Sequence, residues 1–75
     1  MKVYITLSKD GISNMALTHT EFCTCKTPKG LKSNITKKYE KIYNNCRNFF
    51  GNGTCIASFT SDKGVELGKL NINVR

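Results

Sequence analysis

Four cysteines, one histidine and a run of lysines are the residues of this 75-residue chain whose chemistry could define a function. In the stretch EFCTCKTPKGLK, Cys23 and Cys25 stand one residue apart, and Cys46 and Cys55 follow later. On an extended segment side chains alternate, so Cys23 and Cys25 point to the same side. A bond between them would close a tight ring and strain the disulfide torsion. The connectivity 23–25 with 46–55 therefore ranks last. The spacing predicts two bridges to distant partners, either 23–46 with 25–55 or 23–55 with 25–46, and leaves both open. Each would contribute about 2–4 kcal/mol to a chain too short to build a large core. Structural zinc sites space their cysteines two to four residues apart. The gap of one here argues against a knuckle, so neither a metal nor a cofactor is expected. Buried unpaired thiols are the second reading of the same residues.

His19 is the only histidine, and strand parity places it on one face with Glu21. With Arg47 or a lysine, that pair would supply the acid, base and cation that RNA cleavage requires. A histidine that follows Met15 and Leu17 on one face reads more simply as a satisfied residue at the edge of a core. The five carboxylates are scattered, and phosphate-binding glycine loops and nucleophile elbows are absent. No enzymatic activity is expected, a ribonuclease-like use of His19 being the minor alternative.

The cations are concentrated. Lys26, Lys29, Lys32, Lys37, Lys38, Lys41 and Arg47 fall in the middle third of a chain of net charge +7, against Glu40 alone. A solvated face that keeps the protein soluble is the plain reading. The functional reading is an electropositive surface for an anionic macromolecule, a nucleic acid or an acidic protein. Ten of the twelve cations are lysines, which make point-charge contacts and not bidentate base readout. Tyr4, Phe49 and Phe50 are the aromatic residues that could stack on bases, although one or both phenylalanines also suit a small core.

The elements that must position these groups follow from periodicity. Val3, Ile5 and Leu7 alternate with polar residues, Asp10-Gly11 offers a turn, and Met15 and Leu17 share a face of a returning strand. KTPKGLKSN reads as a connector punctuated by Pro28 and Gly30. A helix capped by Ser33 or Asn34 then carries Ile35, Tyr39, Ile42 and Cys46 on one stripe. In the last third Cys55, Ala57 and Phe59 alternate, SDKG turns, and VELGKLNINV returns. Its apolar residues change parity between Leu67 and Leu70, which predicts a bulge at Gly68-Lys69.

The expected fold is α+β: an antiparallel β-β-α-β-β layout of two hairpins with one helix packed on the sheet, disulfide-stapled, in one small domain over residues 1–75. No apolar run resembles a signal-peptide core or a membrane span. The even cysteine count and the triplets Asn34-Ile35-Thr36 and Asn52-Gly53-Thr54 favour secretion, with a cytoplasmic chain beginning at Met1 as the alternative. The favoured function is a secreted, effector- or toxin-like binding protein acting through its lysine-rich helix and connector. The alternative is an intracellular or phage-type protein that binds the phosphate backbone of nucleic acid. The apolar stripe of the helix is too narrow to serve a membrane as well as the core. A terminal strand could pair with a second copy to form a dimer.

Overall fold

The computed structural model describes residues 1–9, 12–16 and 19–75, the segment 12–16 by its backbone only. The expected turn at Asp10-Gly11, the strand positions Leu17 and Thr18, and the side chain of Met15 lie outside the described residues. The chain runs β1 (Lys2–Lys9), β2 (Ile12–Ala16), β3 (Thr20–Thr24), α1 (Pro28–Phe50), β4 (Gly53–Ser61) and β5 (Glu66–Val74). β2 and β3 both pair antiparallel with β1, at Ser8-Lys9 and at residues 2–5 respectively, so the two segments share one sheet edge. The sheet thus has four antiparallel positions, with β2 and β3 on one edge, then β1, β4 and β5. The predicted α+β layout of two hairpins and one helix holds. Its strand order, with β1 and β4 central, was not legible in the sequence.

One face of the sheet is buried. Val3 and Leu7 of β1 and Cys55, Ala57 and Phe59 of β4 alternate inward as their parity requires, joined by Ile72 and Val74 of β5. Leu31, Ile42 and Cys46 of α1 close this core, with Cys23 and Cys25 at its margin. The intervening β1 and β4 residues Tyr4, Thr6, Ser8, Thr54, Ser58 and Thr60 are polar or amphipathic, Ile56 being the apolar exception, and suit a face without a second layer. The bulge expected in β5 is present one residue early. Phe59 pairs with Gly68 but Thr60 with Glu66, so Leu67 is the extra residue that lets the buried parity change.

α1 begins earlier than the sequence suggests. Thr27, with extended backbone at φ −139° and ψ 160°, is the N-cap, and its hydroxyl accepts from the Gly30 N–H at 3.2 Å. Pro28 opens the first turn, where its missing N–H needs no partner. The segment read as a connector is therefore helical, and Lys29 and Lys32 belong to α1. At the other end the Gly51 N–H donates to the Arg47 carbonyl at 2.9 Å. The Lys9 ammonium donates to the carbonyls of Asn52 (2.6 Å) and Phe50 (3.3 Å), placing a cation where the helix carbonyls need one. Gly53 follows at φ 125°, a backbone conformation that favours glycine, and a Cβ there would also displace the Lys9 nitrogen, 2.8 Å away.

Candidate nucleic-acid interface on the helix

The lysine-rich segment lies on one side of the molecule. Leu31, Ile35, Ile42 and Cys46 turn toward the sheet, so Lys29, Lys37, Lys41 and Arg47 are left on the outer half of α1, and all four are exposed. Lys32 is exposed as well, and Lys26 lies exposed just before the N-cap. The two ion pairs among the described residues are Lys2 with Glu21 at 3.8 Å and Lys69 with Glu66 at 3.4 Å, both away from α1. The outer side of the helix therefore carries a row of cations that form no ion pair among the described residues, with Glu40 as the one carboxylate on that side. A helix of 23 residues spans about 34 Å at 1.5 Å per residue.

Lys38 differs from its neighbours. It is half-buried, donates to the Phe22 carbonyl at 3.0 Å, and holds its ammonium 5.1 Å from the centre of the Phe22 ring. It ties α1 to β3, a structural role that sequence reasoning assigned to the binding surface. Phe22 in turn packs edge-on to Phe59 at 5.3 Å.

Beside Lys38 the helix and the sheet part to leave a groove of about 470 Å³. Ile5, Leu7 and Phe22 form its sheet wall, and Ile42 and Phe49 its helix wall. Lys38, Lys41 and Asn45 stand along the helix side, with Thr20 and Glu21 across from them. Lys38, Lys41, Asn45 and Phe49 recur every three or four residues, which puts them in one line facing β3. Of the two consecutive phenylalanines, Phe50 packs against the core, whereas Phe49 is 61% exposed at the groove. The groove itself was missed by sequence reasoning. The exposed half of the FF pair was its one available signal.

The cysteines depart from expectation. All four are free thiols and all are buried. Cys23 and Cys25 do point to one side, and their sulfurs meet at 2.9 Å, a thiol–thiol contact and not a bond. Cys46 lies close enough to Cys55 across the α1–β4 junction for that thiol to help raise its pKa. The neighbours are thus 23 with 25 and 46 with 55, the pairing that ranked last. The reason is that Cys25 follows the end of β3 and stays at the margin of the sheet, while Cys46 and Cys55 flank the turn after α1. Burial foremost pushes both the Cys23 and Cys46 thiols up to about 11, and the adjacent thiol adds to the rise. Such thiols remain protonated at neutral pH and are poor nucleophiles.

His19 is exposed and not at a core edge. Its ring stacks on Tyr4 at 4.7 Å and its Nδ1 meets the Thr6 hydroxyl at 2.9 Å, on the sheet face away from α1. Arg47 belongs to the helix on the opposite side and does not join His19, whereas Glu21 pairs with Lys2 at 3.8 Å. Among the described residues no three His, Cys, Asp or Glu side chains form a cluster that could hold a metal ion. The Asn34 amide donates to the Gly30 carbonyl one turn back in α1 at 2.9 Å and to the Cys25 sulfur ahead of the helix at 3.4 Å. That engagement makes the first of the two glycosylation-type triplets a poor acceptor. No described helix is long and apolar enough to cross a membrane. No family model, curated protein or solved structure matches the chain.

Proposed function

We propose that this protein is a binding module that engages the phosphate backbone of nucleic acid through the outer side of α1. The row of exposed cations at Lys26, Lys29, Lys32, Lys37, Lys41 and Arg47, six against the single carboxylate Glu40 and none of them in an ion pair among the described residues, carries this reading. A straight rod of positive charge matches a polymer with regularly spaced phosphates, and displacement of condensed counterions drives the association. Lysine predominance makes the contact sensitive to salt and weak in sequence preference. Four buried free thiols are compatible with a reducing interior, and the engaged Asn34 weakens one argument for secretion.

The test is duplex binding followed by fluorescence anisotropy across salt. The logarithm of the association constant should fall with the logarithm of salt, with a slope of about −0.9 per phosphate neutralised. Changing Lys29, Lys37 and Lys41 together to Glu should remove binding and leave the circular dichroism spectrum unchanged. Lys38 is excluded because it holds β3. An absence of binding at low salt, or an affinity indifferent to salt, refutes the proposal.

A second reading, the secreted and disulfide-stapled scaffold presenting the same helix to an acidic protein, has one observation in its favour. The thiols already lie in two adjacent pairs, so a secretory-pathway thiol oxidant, itself reduced in the step, would join Cys46 to Cys55, while a Cys23–Cys25 bond would close only as a strained ring. Mass spectrometry of protein purified without reductant decides it: two bridges support the reading, and four free thiols remove it.

A further inference from the structure

We infer that the groove between α1 and β3 receives one unpaired base of a single-stranded nucleic acid. The inference rests on the phosphate-binding reading above and adds to it a form of substrate and a contact the lysine row does not supply. At about 470 Å³ the groove falls in the range of sites that enclose small ligands. Its composition selects among them. Phe49 is 61% exposed at the rim, which leaves its ring open to a flat partner entering the groove. Lys41, in line with Phe49 and two turns nearer the N-terminus, is an exposed cation on the groove's helix side, within the groove lining that an inserted nucleotide's phosphate would border.

The polar wall argues for a base over a hydrocarbon chain. Asn45 offers a donor and an acceptor, and Thr20 and Glu21 stand opposite it. A lipid tail would strip water from these groups and return no hydrogen bond. The edge of a base returns them while its face stacks on Phe49. Bases in a duplex are stacked and paired, so the inserted base must come from a single strand.

The chain has no tryptophan, so Phe49→Trp introduces one fluorophore at the groove. Three probes of equal length separate the contributions: oligo-dT, the same strand with abasic sites throughout, and a duplex. Oligo-dT should quench the tryptophan, and the abasic strand and duplex should not. Phe49→Ala should weaken oligo-dT binding by about 5- to 150-fold, the range for losing one stacked base, and leave duplex and abasic binding unchanged. Phe49→Trp should retain oligo-dT affinity. Because Phe49 lies outside the core, loss of folding does not confound the comparison, and circular dichroism verifies it. Equal affinity for all three probes with Phe49→Ala indifferent overturns the base site and leaves phosphate binding standing. No binding to any probe at low salt overturns both.

Discussion

The cysteines illustrate how a single residue type can be read correctly in direction and wrongly in partnership. Alternation along an extended segment put Cys23 and Cys25 on one side, and their sulfurs do meet at 2.9 Å. Reach across the fold was the part that depended on strand order. The Cys46 thiol, with no solvent exposure, has its pKa raised from 9.0 to about 11, mainly by burial. A group whose protonated form the fold favours contributes stability that is complete below pH 9 and lost as pH rises toward 11. Two units correspond to about 2–3 kcal/mol. Urea denaturation at pH 8 and pH 10.5 should show a loss of that order, and Cys46→Ala should remove part of the pH dependence. Equal slopes for the two proteins would contradict this account. In the native protein at pH 7 an alkylating reagent should modify the buried thiols slowly, whereas in urea all four should react within the mixing time of a routine assay.

At the scale of the element, α1 depends on a cap that sequence reading placed six or seven residues too late. Ser33 and Asn34 have the chemistry of N-caps, but Thr27 followed by Pro28 does too, and a proline read as a breaker concealed a helix start. Thr27→Ala should cost about 1 kcal/mol, read as a shift of the denaturation midpoint, with Thr27→Ser recovering most of it. The extra turn and a half matters for function, since it brings Lys29 and Lys32 onto the same rod as Lys37 and Lys41. By contrast, the β5 bulge was legible to within one residue, because a change in the parity of Leu67 and Leu70 has no other geometric solution in a strand that stays paired.

For the whole molecule, the extents of 33 × 24 × 15 Å describe two layers, one sheet and one helix. Such a plate has a single core, and Phe59, 1% exposed and touching Phe22, lies within it. Phe59→Ala should cost about 3–5 kcal/mol, enough to leave a domain of this size largely unfolded at 25 °C by circular dichroism. A mild loss would mean that the helix and sheet are held together elsewhere.

Local alternation determined the strands, the buried sides of β1 and β4, the change of face in β5 and the concentration of charge, because each is a property of neighbours along the chain. Tertiary structure alone decided which cysteines are neighbours, which lysine is structural, where His19 faces and that a groove opens beside Phe49. All four depend on β1 and β4 becoming the central pair and on α1 crossing above them. Those are contacts between residues tens of positions apart, whose selection rests on the summed packing of the core and not on any local pattern.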